Sequence, residues 1–351
     1  MRKGILASET FLDQRQGFEG MEELVCNPIR HRLNALLIGL RNGVILGSTE
    51  AALNALELIK NASGECSKEF RDFLRECIPL IIASRPSSQV LENLIRMYLE
   101  KFLTVASEGG LKRAIDETPT LVDQLVNSLN QVREAIAEIG SKRIESGDTI
   151  LTHSYSTTVM RTLEKALERG VSFNVYVTES RPVGEGKTTA SMVSKLGIDT
   201  TLIVDSAVRY VMKYVRKVLV GADAIAINGA VVSKIGTSAV ALAAKEARAR
   251  LFVLAGLYKF SFETVFGELV EQAVLRNPEL IIPEDRIAEL AGRVTVDTPL
   301  FDVTPPEYID AIITEKGVLA PQAIPMLIMM TYGWPPKVRS LGDLLEEVGR
   351  L

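Results

Sequence analysis

Hydrophobic positions change period once along this chain, near residue 145. Before that point apolar residues return at i, i+3, i+4 and i+7, as in "AALNALELIKNA" (51–62) and "VLENLIRMYLEKFL" (90–103). That spacing places one apolar stripe on a helix and predicts helices almost throughout. "TLVDQLVNSLNQVREAIAEIGSKRI" (120–144) continues the pattern as a long amphipathic helix ending near Ser146-Gly147. After residue 147 short β-branched runs appear: "DTILTH", "VSFNVYVTE", "DTTLIVD", "KVLVGADAIAI" and "RLFVLA". Helical segments such as "TVMRTLEKALERG" and "SAVALAAKEARA" separate them.

Strands apolar along their whole length, alternating with helices, predict a parallel sheet covered on both faces. Right-handed crossovers make that a doubly wound, Rossmann-like α/β fold. We therefore expect a helical domain with its connecting helix over residues 1–145 and the Rossmann-like domain over 146–351. The proline-bearing stretches "TPPEY" and "GWPPK" predict a pinned, wrap-around tail.

Composition narrows the function classes. The chain has 351 residues, with 40 basic against 44 acidic, and this balance supplies no field for nucleic acid. Three cysteines, Cys26, Cys66 and Cys77, without a C-x-x-C pair argue against a disulfide framework or a zinc site. Two histidines are too few for a histidine-built metal centre. No apolar run reaches the length of a membrane span, so a cytoplasmic protein with no membrane partner is expected, with no metal and no cofactor.

In a doubly wound sheet, ligands gather beyond the carboxyl ends of the strands. The predicted ends supply His153 and Ser154; Glu179, Ser180 and Arg181; Asp205; Asp223; and Lys234. Arginine forks a phosphate, lysine adds a point charge, and carboxylates accept sugar hydroxyls, so the set suits an anionic polyol. Gly236, Thr237 and Ser238 open a helix whose first amides could hold a phosphate. Capping is the expected role of Asp205, and His153 reads as a structural histidine. "RPVGEGK" fits a loop with turn glycines. Asp223, closing the apolar "VLVGAD", would be raised toward a base by burial.

"ILTHSYSTTVMRTLEKA", "VTESRPVGEGKTTASMVSKLGI", "TLIVDSAVRYVMKYVRKVLVGADAIAINGAVVSKIGTSAVALAAK" and "FDVTPPEYIDAIITEKGVLAP" keep an order and spacing over residues 145–335. Together they resemble the translation initiation factor 2B α/β/δ superfamily, which also holds sugar-phosphate isomerases. The resemblance reaches more weakly into "ASRPSSQVLENLI" of the helical half. It implies a homodimer or higher oligomer, possible initiation factor 2 subunits as partners, and a sugar phosphate or nucleotide as ligand.

The isomerases of that superfamily resemble this chain at the "GAD" aspartate, here Asp223, but carry a cysteine where Ser154 stands. Their Arg-Gly-Ala turn corresponds to "RNGVILGST" from Arg41, and they read Asn-Lys where this chain has Ser233-Lys234. Arg85, Arg181, Asp223, Asn228, Lys234, Gly236 and Thr237 are retained. A thiol near pKa 8.5 can be tuned to release a proton near neutrality, whereas an aliphatic hydroxyl lies far above that range. The expectation is therefore a factor-2B-like regulatory or assembly subunit that binds a sugar phosphate without turning it over. The alternative is a ribose-1,5-bisphosphate isomerase with serine at the cysteine position, supported by the likeness of "FDVTPPEYIDAIITEKGVLAP" and "YKF" to the archaeal isomerase.

Overall fold

The computed structural model describes residues 27–41, 44–261, 280–282, 286, 294–334 and 336–351. Its amino-terminal part is helical: α1 (Asn27–Arg41), α2 (Ser48–Glu65), α3 (Phe70–Ala83) and α4 (Gln89–Ser141). The expected connecting helix is the second half of α4, which is broken at Gly110, where φ is 83°. Only glycine takes that left-handed conformation without strain. Phe70, Phe73, Tyr98 and Phe102 are fully buried at the centre of this helical core. The Tyr98 hydroxyl meets Thr118 Oγ1 at 2.9 Å, so the one polar tip in that aromatic cluster is satisfied. Cys66 is disulfide-bonded, which corrects the expectation drawn from the cysteine pattern, and Cys77 is a buried free thiol.

The remainder alternates as predicted, starting with β1 (Thr149–Thr152), α5 (Thr157–Glu168), β2 (Asn174–Thr178), α6 (Gly186–Lys195) and β3 (Thr200–Ile203). A short helix α7 (Val208–Val211) leads to β4 (Lys217–Val220) and β5 (Ala224–Ile225). Then come β6 (Val231–Lys234), α8 (Thr237–Ala247), β7 (Arg250–Leu254) and β8 (Phe301–Thr304). β9 (Ala311–Thr314) and β10 (Gly317–Leu319) precede α9 (Ile324–Tyr332) and α10 (Leu341–Gly349). Seven strands form one sheet in the order β10-β9-β7-β4-β1-β2-β3. Every pairing is parallel except that of β9 with β10. The chain leaves β1 toward β2 and β3, then returns to the other side of β1 as β4. That reversal creates the crevice between the ends of β1 and β4.

One expected strand divides. "KVLVGADAIAI" ends its run in the main sheet at Val220, turns at Gly221, and restarts as β5 in a separate sheet ordered β5-β6-β8. Gly221 allows the turn: an added Cβ would lie 2.7 Å from Ser156 Oγ. Asp223 is thereby suspended between the two sheets. Beyond the proline-bearing stretches, Leu344 and Val348 of α10 pack into the helical core. No helix among the described residues is long and apolar enough to cross a membrane.

Candidate active site

The corner after β1 is tightly specified. The His153 ring meets Thr178 Oγ1 at 2.7 Å and the Ile235 carbonyl at 2.8 Å, tying β1 to β2 and to the end of β6. Burial holds its pKa below the usual histidine value, which fits the structural role read from the sequence. Ser154 follows with φ 67°, uncommon for a residue with a Cβ. Its amide donates to Ser180 Oγ at 2.8 Å, and Thr189 Oγ1 donates to its carbonyl at 2.9 Å. Ser156 caps α5 by accepting from the Val159 amide. The backbone is thus held by Ser180 and Thr189, and Ser154 lines the cleft.

That hydroxyl donates to Glu185 Oε1 at 2.8 Å. Glu185 is 3% exposed, and Lys234 Nζ stands 3.2 Å from the same oxygen. Its other oxygen, Oε2, is buried without a partner. The close approach depends on Gly186: a Cβ there would meet the Thr178 carbonyl oxygen at 1.7 Å, so only glycine lets the loop press onto the end of β2.

Across the crevice, Asp223 is pinned by its backbone. Its amide donates to the Val232 carbonyl at 2.8 Å, and its carbonyl accepts from the Gln89 amide at 3.2 Å. Its Oδ1 accepts from Arg85 Nη2 at 3.2 Å. The same guanidinium donates to the Ile45 and Leu46 carbonyls at 2.8 and 3.2 Å, so it also anchors the stretch leading into α2. Lys259 is 3% exposed, and its Nζ donates to the Ala222 carbonyl at 2.5 Å and to Ser48 Oγ at 3.2 Å. Burial pushes its pKa down to about 8, against the raising effect of the Asp223 carboxylate.

Arg85, Ser154, Asp223, Lys234 and Lys259 line one cleft. Gly47, Ser48 and Thr49, at the amino end of α2, form another part of its wall. No side chain caps that helix, so its first-turn amides, at this wall of the cleft, have no capping side chain as partner. The Phe301 ring lies 5.3 Å from Lys234 Nζ and 5.8 Å from the Arg85 guanidinium, an aromatic floor under both cations.

Four expected ligand residues are placed elsewhere. Arg181 is turned outward by the left-handed Ser180, φ 62°, and its guanidinium donates to the Leu280 carbonyl at 3.0 Å. Asp205 holds that turn by accepting from the Ser180 and Arg181 amides at 2.9 and 2.7 Å; it makes no side-chain cap on its own helical turn. Asn228 closes the β5–β6 turn by accepting from the Ala230 amide at 2.9 Å. Gly236 packs over the His153 ring, and Thr237 Oγ1 donates to the Lys234 carbonyl at 2.6 Å. The amides expected to bind phosphate there, Gly236 and Ser238, are already held by the Asp302 carboxylate at 2.8 and 3.2 Å. Burial pushes Asp302 up to about 6 despite those two donors.

Glu185 and Lys259 belong to the site and carry no role in the sequence reading. The signal for Glu185 was its place between two glycines in "VGEGK", which marks a carboxylate on a backbone that must pack closely. Lys259 had only its place in "YKF", just beyond the apolar run of β7.

The model of the Initiation factor 2 subunit family matches residues 44–321. The ribose 1,5-bisphosphate isomerase of Thermococcus kodakarensis is 38% identical over 77% of this chain and 84% of its own length. That of Methanocaldococcus jannaschii is 40% identical over the same shares. A crystal structure of the Pyrococcus horikoshii translation initiation factor eIF-2B superposes with a TM-score of 0.70 at 28% identity, covering 83% of this chain and 97% of that one. The isomerase relatives overturn the expectation of a regulatory subunit without catalysis. The departures at Ser154, at the stretch from Arg41 and at Ser233 do not outweigh that likeness, because a replaced residue says nothing of what stands beside it in the fold.

Proposed function

Because the chain belongs to the initiation factor 2 subunit family, we propose that it is an aldose–ketose isomerase acting on ribose 1,5-bisphosphate. The observation that carries this reading is the meeting of Asp223, Lys259, Lys234, Arg85 and Ser154 in one cleft of a chain 38% identical to such an isomerase. Opening the sugar ring and moving hydrogen from C2 to C1 needs one group that gives a proton to the ring oxygen and one that takes a proton from the C2 hydroxyl. Lys259 is suited to give one, since burial brings its pKa down to about 8 and makes its ammonium a readier proton donor than a solvated lysine. Asp223 keeps Lys259 charged and accepts sugar hydroxyls. Lys234 and the first turn of α2 hold the phosphates, and Arg85 fixes the Ile45–Leu46 stretch that aims that turn.

Lys234→Ala removes one charge-assisted contact, typically ~1.5–3 kcal/mol, and should weaken ribose 1,5-bisphosphate binding by roughly tenfold or more. Titration calorimetry reads this directly; equal affinities for the two proteins would contradict the assignment of Lys234 to phosphate. We also infer self-association. Met326, Met329, Met330 and Trp334 are exposed on and just beyond α9, while Ile324 and Ile328 face inward. An adaptable apolar surface of this kind fits a second copy better than water.

A further inference from the structure

The reaction assigned above needs a proton acceptor opposite Lys259, and the residue at the cysteine position is an alcohol that cannot ionise unaided near neutrality. The geometry points to Glu185 as that acceptor, reached through the Ser154 hydroxyl. This inference rests on the isomerase reading and adds to it the identity of the second proton-transfer group.

Three observations carry it. First, the Ser154 hydroxyl already donates to Glu185 Oε1 at 2.8 Å, and Ser154 lines the cleft, so one oxygen touches both the carboxylate and the space where a sugar must lie. Second, Glu185 is buried, and its Oε2 has no partner. Leaving a buried carboxylate oxygen unbonded is costly, and a carboxylate that served only as a fixed strut would be expected to have both oxygens satisfied. Third, the backbone around the pair is built to hold it. Ser154 and Ser180 adopt left-handed conformations, and Gly186 lies where no Cβ fits. Strain of this kind persists where the surrounding structure fixes it for a purpose.

Lys234, on β6, faces Glu185 Oε1 at 3.2 Å. Glu185 and Lys234 act in turn on the buried His153, which stays with its own two partners and does not compete for the proton. In the aldose-to-ketose direction the C2 hydroxyl gives its proton to Ser154 Oγ while Ser154 passes its own to Glu185 Oε1. The C2–O bond becomes a carbonyl as hydride moves from C2 to C1. The electron pair of the C1–ring-oxygen bond leaves with that oxygen, which takes a proton from Lys259. The sugar keeps its hydrogen count. Exchange with water then returns one proton to Lys259 and removes one from Glu185, and the ketose-to-aldose direction runs the same path backwards.

The test compares wild type with Glu185→Gln, Ser154→Ala and the double variant in steady-state kinetics on ribose 1,5-bisphosphate, with thermal unfolding as a check on folding. Glu185→Gln keeps the size and the hydrogen bond to Ser154 but takes up no proton. It should lower kcat about 100-fold or more, change KM by less than about threefold, and abolish the acidic limb of the kcat–pH profile. Ser154→Ala should lower kcat by a similar factor. The double variant should be no slower than the slower single one, because the two residues act as a unit. A Glu185→Gln protein with kcat within threefold of wild type, or one whose KM rises while its pH profile keeps both limbs, overturns the inference: Glu185 would then only position Lys234. Losses that multiply in the double variant overturn it as well. A wild-type protein without turnover removes the isomerase reading itself, whereas an active wild type with an unaffected Glu185→Gln removes this inference alone.

Discussion

Asp223→Asn is expected to lower kcat by about 10²–10⁴-fold and to shift the alkaline limb of the pH–rate profile to lower pH. Both effects follow from its neighbours. The carboxylate raises the Lys259 pKa against a burial that depresses it to about 8. Without that anion, burial and the Arg85 charge act unopposed, and the ammonium loses its proton at a lower pH. The fold should survive, because the Asp223 backbone keeps its bonds to Val232 and Gln89, and Arg85 keeps those to the Ile45 and Leu46 carbonyls. Rate measurements from pH 5 to 10, with circular dichroism as a control, decide the matter. An unmoved alkaline limb would mean that Asp223 does not act on the proton donor.

Lys259→Met should abolish detectable turnover and, at the same time, stabilise the protein. Catalysis is lost because methionine has no proton to give. Stability should rise because folding depresses this lysine from 10.5 to about 8. Between those two values the folded state holds fewer protons than the unfolded chain, so stability grows as pH rises through the window. Below it the whole penalty of a buried ammonium is present, roughly 3 kcal/mol at 1.36 kcal/mol per pKa unit. Methionine of similar length removes that penalty, although the Ala222 carbonyl and the Ser48 hydroxyl lose a donor. Denaturant unfolding at pH 7 should therefore show a midpoint at or above that of wild type. A variant that is both less stable and still active would contradict the placement of Lys259 as a buried proton donor. Such opposition between stability and activity is expected where a charge is buried for chemistry.

How far the sequence shows these features depends on the range of the forces involved. The change from helical to strand period near residue 145 is local, and α4 ends at Ser141 before β1 begins at Thr149. The carboxyl ends of β1, β4 and β6 follow from strand apolarity, and with them the places of Ser154, Asp223 and Lys234. The division of "KVLVGADAIAI" between two sheets was not legible, because it depends on Ser156 packing against Gly221 from another element. Arg181 was misplaced for a related reason. A strand end fixes where the backbone is, but the left-handed Ser180 and the Asp205 carboxylate decide which way the next side chain faces. The α8 amides looked open to phosphate because Asp302, more than sixty residues away in sequence, arrives only when β8 pairs with β6.

The expectation of binding without turnover rests on departures at Ser154, at the stretch from Arg41 and at Ser233, and Ser154 carries most of it. Sulfur replaced by oxygen at Ser154 reads as a lost acid when the residue is taken by itself. Glu185 and the buried Lys259 lie 31 and 105 positions further along the chain; only the fold brings Glu185 to 2.8 Å behind the Ser154 hydroxyl and Lys259 to the same cleft.

The most direct test is conversion of ribose 1,5-bisphosphate by the purified wild-type protein, followed by carbon NMR on substrate labelled at C1 and C2. The account predicts that the C2 signal moves from a hydroxyl-bearing carbon to a ketone, that C1 becomes a methylene still bearing phosphate, and that Asp223→Asn suppresses both changes. Tight binding of the substrate with no ketone signal after prolonged incubation would contradict it.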